Sequence, residues 1–286
     1  MLSWPDFSYK QLIVHTAGGS GEIIRFKAEN LVIYDKEKKV LLQHSCHRIF
    51  ALIIIGETTL TSAFIRQAVK FAFPIIMLTG NLRPYARINN NAEGNTLLRI
   101  RQYNAGERNL QIAQSLIMQK IGNQCTLLER LRYKADYDKN AIAYLCSLHP
   151  ENVRDTAELM GMEGSASRVF FQAYFRNLNW RRREPRCKRD IVNLLLDIGY
   201  TYLFNFIEAL LGLYGFDLYC GVLHTLFYQR KSLVCDIVEP FRCIIDARIR
   251  KAHSLNQIDQ HDFGNDAKNG TFYIGYDKLP HTRICP

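Results

Sequence analysis

Up to about residue 88 the apolar positions come in short β-branched runs, and beyond it they recur at helical spacing. Gln11–His15, Glu22–Phe26, Leu31–Tyr34, Val40–Gln43 and Phe50–Ile55 each predict a short strand. Gly18-Gly19-Ser20-Gly21 and Asp35-Lys36-Glu37-Lys38-Lys39 supply turns between them. Thr61–Ala72 puts Phe64, Ile65, Ala68, Val69 and Ala72 on one face and predicts a helix. Pro74–Thr79 predicts a further buried strand.

Ile88–Thr96 (INNNAEGNT) is polar and reads as a linker. From Leu97 the pattern is helical. A helix starts over Leu97–Arg101, and Glu107–Leu131 is long and amphipathic. Further helices are predicted over 138–147, 151–160, 163–178, 190–213, 218–229 and 232–251. After about Asn256 the pattern weakens to one β-like run, Gly270–Tyr276. The chain therefore reads as α+β with two domains: a small N-terminal β-rich domain over 1–90, a linker over 91–96, and a larger all-α domain over 97–286 with a weakly structured tail after about 256.

Composition narrows the class. Of 286 residues, 48% are hydrophobic and 22% charged, a globular balance that excludes a disordered chain. Lys and Arg number 37 against 27 Asp and Glu, a net charge of +10, which points to a polyanion, nucleic acid ahead of a membrane surface. The eight cysteines (Cys46, Cys125, Cys146, Cys187, Cys220, Cys235, Cys243, Cys285) are scattered with no CxxC pair, as expected of reduced thiols in a cytosolic protein. Met1–Lys10 has no apolar core of a signal peptide. Ile191–Leu223 is interrupted by Asn193, Asp197, Asn205, Glu208 and Asp217, too polar to span a bilayer and expected as buried helices. A soluble, cytoplasmic protein with no membrane association is the expectation.

Four segments carry candidate chemistry. Glu163-Gly164-Ser165-Ala166-Ser167 puts an acid before small residues that admit close approach of a ligand; the competing reading is a helix N-terminus with Glu163 in its first turn. His224 closes an apolar region, as a core histidine or a ligand. Asp236 and Glu239 are spaced i,i+3, so both carboxylates are expected on one half-buried helix face, and their repulsion calls for a cation: Arg242 as an ion pair, or a divalent metal. Pro240 disturbs the helix at the Asp236 carbonyl. Carboxylates with a neutral imidazole suit Mg²⁺ or Mn²⁺ and phosphodiester chemistry. Finally, Arg176–Arg189 (RNLNWRRREPRCKR) packs seven cations around Trp180, suited to phosphate clamping and base stacking, or simply a solvated basic loop. His44-Ser45-Cys46-His47 lacks two further paired zinc ligands, and Gly18–Gly21 lacks the Lys-Ser/Thr of a phosphate loop.

Taken in order, these segments resemble the CRISPR-associated integrase family, the catalytic subunit of the spacer-acquisition complex. The resemblance is carried by Gly56–Ser62 (GETTLTS), by Lys120-Ile121-Gly122-Asn123-Gln124 followed by Leu127-Leu128, and by Met162–Phe175. Asp190–Leu203, Gly215–His224 and Ser232–Asp246 extend it, so that it runs from about residue 8 to 250 and is closest to versions from type V systems. It implies that Glu163, His224 and Glu239 hold one Mg²⁺ or Mn²⁺, with Asp236 supporting, and that the N-terminal β-domain dimerises. It further implies an integrase/endonuclease that joins 3′-hydroxyl ends of short double-stranded DNA fragments into the repeat array, as a homodimer or as two dimers bridged by a small ferredoxin-like subunit. Arg181, Arg182, Arg183, Arg186, Arg189 and Arg242 are the expected DNA contacts. Leu218 departs from a proline common in the family, and the resemblance fades beyond Asn256. Two rival functions stay open: a metal-dependent nuclease on branched DNA, and a non-catalytic DNA-binding scaffold.

Overall fold

The computed structural model describes residues 9–18, 21–89, 94–178, 180–275 and 282–285. The described chain forms two compact units, one gathering the strands up to Thr96 with Glu208–Phe216 and the last strand, the other holding Leu97–Ile207 and Asp217–Ile274.

In the first unit β1 (Gln11–Thr16), β5 (Ile49–Ile55), β7 (Ile75–Leu78), β8 (Pro84–Ile88) and β11 (Thr282–Cys285) build a five-stranded sheet in the order β11-β1-β5-β7-β8. β1, β5 and β7 run parallel, and β8 and β11 are antiparallel edges. β5 (IFALIII) is buried at every position and sits at the centre, as a continuous apolar run demands. β2 (Ile23–Lys27), β3 (Asn30–Tyr34), β4 (Val40–Ser45) and β6 (Thr59–Leu60) form a second sheet, β4-β3-β2-β6. Helix α1 (Ser62–Lys70) starts at Thr61, whose side chain caps the Phe64 amide, and buries Phe64 and Ala68. Of the linker expected over 91–96, residues 91–93 lie outside the described residues, Gly94 and Asn95 are irregular, and Thr96 already opens the next helix. The predicted Gly18–Gly21 turn lies partly outside them.

The second unit is helical: α2 (Thr96–Tyr103), α3 (Arg108–Glu129), α4 (Asp136–Cys146), α5 (Thr156–Tyr174), α6 (Ile191–Tyr214, whose last turns count with the first unit), α7 (Ser232–Val238) and α8 (Arg242–Ser254). The hairpin β9 (Phe263–Asp266) and β10 (Thr271–Ile274) follows, where one β-like run was expected. The core is built from Ile117, Ile121 and Leu128 of α3, Leu159, Ala166 and Phe170 of α5, and Val192, Leu196 and Tyr200 of α6. By length and composition α6 could cross a membrane, contrary to the reading of its segment as too polar; here Val192, Leu196 and Tyr200 pack into the core and Asn193 is fully buried.

Three helix expectations are corrected. The helix over 232–251 is two, α7 and α8, parted by a 3₁₀ turn over Glu239–Phe241. The helices over 151–160 and 163–178 are one, α5, capped by Asp155, which accepts from the Glu158 amide (2.8 Å). Gly161 and Gly164 lie inside it at a cost of about 1 kcal/mol each, offset by burial of the apolar stripe on either side. No helix forms over 218–229; the segment is irregular because a side chain described below captures its amides.

Candidate active site

Three helices of the second unit converge on one buried cluster. Lys120 lies on the core stripe of α3, among Ile117, Ile121 and Gln124, with its side chain 6% exposed. Its ammonium donates to Glu163 of α5 and to Glu239 Oε2 (2.6 Å), immediately after α7. Glu163 therefore sits two turns inside a helix rather than in a first turn, and Ser167, one turn on, donates to its Oε1 (2.8 Å). Pro240 ends α7 as its missing amide requires, and a 3₁₀ turn over Glu239–Phe241 leads into α8. Asn123 takes up the Pro240 carbonyl (2.8 Å).

That break separates Asp236 from Glu239. The two were expected on one face sharing a cation, but they serve different partners. Glu239 Oε1 accepts from Arg242 (2.9 Å), whose guanidinium also lies 4.8 Å above the Tyr200 ring. Burial acts to raise the Glu239 carboxyl, but Lys120 and Arg242 outweigh it and hold it below the usual carboxylate range. Arg242 is thus held inside the site, where a free DNA-contacting side chain was expected.

Asp236, fully buried, organises the loop before it. Its Oδ2 accepts from the amides of Val222 (2.6 Å) and Leu223 (3.0 Å), and its Oδ1 from the His224 amide (3.1 Å) and His224 Nδ1 (2.5 Å). These amides are the donors a helix over 218–229 would have needed. Gly221 permits the wrap: a Cβ there would come within 2.5 Å of Asp236 Oδ2 and 2.9 Å of the Ser232 backbone. The bond from Nδ1 to the Asp236 carboxylate fixes the ring and leaves Nε2 free to face a further partner, the way carboxylates orient metal-ligating histidines. His224 is also close enough to act electrostatically on Glu239.

Among the described residues no three His, Cys, Asp or Glu side chains stand together as a metal-binding group. The donor chemistry nevertheless fits a hard divalent cation. Two carboxylates already aim at one cation position, and an imidazole held through Nδ1 by Asp236 lies nearby.

The cluster opens into a cleft of about 220 Å³ lined by Lys120, Glu163, Ser167, Arg183, Glu239 and Asp246. A second cleft of about 460 Å³, sharing Ser167, Phe171, Arg183 and Pro185, continues it past Arg168 and Arg182. The basic segment is an ordered loop clipped to α6. Asn193 bonds the Arg182 carbonyl and the Glu184 amide, and Asp197 bonds the Arg186 amide. Arg183 is bound to Asp197 (2.6 Å) and Asn193 (3.0 Å), and Trp180 is buried against Phe171 and Phe175, so it offers no exposed face for base stacking. Arg181, Arg182, Arg186 and Arg189 are exposed.

Lys120, Tyr200 and Asp246 were given no role from sequence. Their signal is a polar residue on an otherwise apolar helical stripe. Tyr200 donates to Asp246 Oδ1 (2.5 Å), and burial pushes the Asp246 carboxyl up to about 7, against the lowering effect of Tyr200 and Arg242. A carboxyl with a folded-state pKa above its unfolded one stabilises fully below its unfolded value and loses that contribution as pH rises through 7. Asp246→Asn is expected to flatten the decline of Tm between about pH 4 and 7 relative to wild type; parallel Tm profiles would sink this assignment.

A β-rich N-terminal region followed by a helical domain is the fold shared with several solved structures. Casposase bound to integration product matches with a TM-score of 0.73 at 21% identity, over 94% of this chain and 80% of that one. A partial Cas6-RT-Cas1–Cas2 complex matches with a TM-score of 0.67 at 23% identity, over 94% and 84%. The model of the family described as CRISPR associated protein Cas1 matches residues 17–275, and the chain belongs to that family. Among curated relatives, a CRISPR-associated endonuclease Cas1 of Thermodesulfovibrio yellowstonii is 29% identical over 240 residues, 78% of this chain and 74% of the relative.

Proposed function

We propose that the chain is a divalent-metal-dependent DNA integrase of CRISPR adaptation, working in the prokaryotic cytoplasm. The observation that carries this is the convergence of Glu163 and Glu239 on one buried cation position beside a histidine set by Asp236. Family membership and the likeness to proteins named for integration and endonuclease activity support it. Glu163, Glu239 and His224 would hold Mg²⁺ or Mn²⁺, which when bound supplies charge neutralisation at the attacked phosphate. The nucleophile is the 3′-hydroxyl of a short DNA fragment. It forms a new phosphodiester at the repeat end and releases the 3′-hydroxyl of the cut repeat strand; a second such exchange on the other strand completes insertion.

The chain's own residues position this exchange. Asp236 fixes the ring of His224, and Arg242 holds Glu239. The exposed Arg181, Arg182, Arg186 and Arg189 line up as the contacts to DNA backbone, while Arg183 and Arg242 hold the site together. The working assembly is a homodimer through the β-rich unit, or two dimers bridged by the small adaptation subunit.

The test is a joining assay with labelled short duplex DNA and a supercoiled plasmid bearing a repeat array, with Mn²⁺ or chelator, with and without the partner subunit. Joined product that chelator abolishes is expected. Cleavage of branched DNA with no joining would shift the reading to a nuclease, and binding alone would shift it to a scaffold.

A further inference from the structure

The two cations at the carboxylate pair are held differently. Arg242 is fixed twice, by Glu239 and by the Tyr200 ring. The bonds of the Lys120 ammonium among the described residues go only to Glu163 and Glu239, and its flexible four-carbon stem borders the 220 Å³ cleft. Side chains of Glu163 and Glu239 are 25% and 8% exposed, so water alone screens their mutual repulsion poorly.

We propose that Lys120 is a built-in competitor for the metal. Its ammonium neutralises the carboxylate pair in the metal-free protein and moves into the cleft when a divalent cation takes its place. The affinity for metal is then set by competition with the protein's own side chain, and the site is kept intact until metal and substrate arrive. This rests on the reading of Glu163 and Glu239 as metal ligands. It adds that the lysine between them opposes metal binding, whereas an ordinary structural ion pair would only hold the helices together.

The experiment is titration of Mn²⁺ into wild type, Lys120→Met and Lys120→Gln by calorimetry, with Tm measured in chelator and in Mn²⁺. Lys120→Gln keeps a hydrogen-bond donor for the carboxylates and guards against a variant that fails to fold. Both variants are expected to bind Mn²⁺ at least about tenfold more tightly than wild type, since removing a buried ion partner leaves uncompensated charge that the metal then satisfies. Their Tm is expected to be lower in chelator and to rise more on adding Mn²⁺. Wild type that binds Mn²⁺ while the variants bind it no more tightly would overturn the proposal and leave the metal reading standing. Failure of every protein to bind Mn²⁺, with Glu239→Ala indistinguishable from wild type, would overturn both. Binding by the variants alone supports the competition in its strongest form.

Discussion

Glu239→Ala is expected to lower the yield of joined DNA by at least about 10³-fold, more than the loss typical of removing an oriented supporting group. The reason is the charge balance of the site. Wild type sets two carboxylates against Lys120 and Arg242, and the variant leaves both cations facing Glu163 alone. A divalent cation then meets one carboxylate in a cavity that already carries excess positive charge. Breaking a buried ion pair also costs about 3–5 kcal/mol of stability, so joining must be compared at equal folded fraction, checked by near-ultraviolet circular dichroism. Glu239→Gln keeps the shape and is expected to unfold less readily while joining no better than the alanine variant. Joining within about tenfold of wild type by a folded variant would remove Glu239 from the proposed ligand set.

Asp236→Ala is the second large expected effect, and it acts through shape. Four hydrogen bonds end on this fully buried carboxylate, three from consecutive amides and one from the His224 ring. Charge-assisted bonds of this kind contribute about 1.5–3 kcal/mol each, but the 217–231 loop can rehydrate, so a loss of about 4 kcal/mol is expected rather than the sum. Joining is expected to fall at least about 100-fold, because His224 loses the bond that holds its ring in place. Urea unfolding with an unchanged slope but a lower midpoint measures the first, and the joining rate of the remaining folded protein measures the second. Asp236→Asn keeps one acceptor and turns an amide toward backbone donors, so it is expected to fall between alanine and wild type.

How much of this was legible in the sequence depends on the range of the interaction. β1, β2, β3, β5, β7, α1, α3 and α6 follow from periodicity, because each buries its own stripe, and β4 follows from its β-branched and apolar run although it stays largely exposed. The gap expected at 161–162 holds Gly161, which local propensity disfavours, whereas packing of Leu159, Ala166 and Phe170 carries α5 through it. The apolar run before His224 reads as a helix because nothing local shows that an aspartate twelve residues on will take its amides. Lys120 meets its partners 43 and 119 residues away, so its pairing was invisible, although a lysine on a core stripe was a visible anomaly. Glu163, His224, Asp236 and Glu239 stood out by residue type and by resemblance. What the structure adds is the division of labour: Asp236 shapes the loop, and Glu239 faces the cations.

The antiparallel ladder between β11 and β1 carries a consequence for handling the protein. Thr282–Cys285 occupies the outer hydrogen-bonding edge of the first strand of the five-stranded sheet. Shortening the chain before Thr282 bares the amides and carbonyls of β1, an invitation to pair with a neighbouring molecule. Such a truncation is expected to aggregate, and an inactive preparation of it would therefore not test metal or DNA binding.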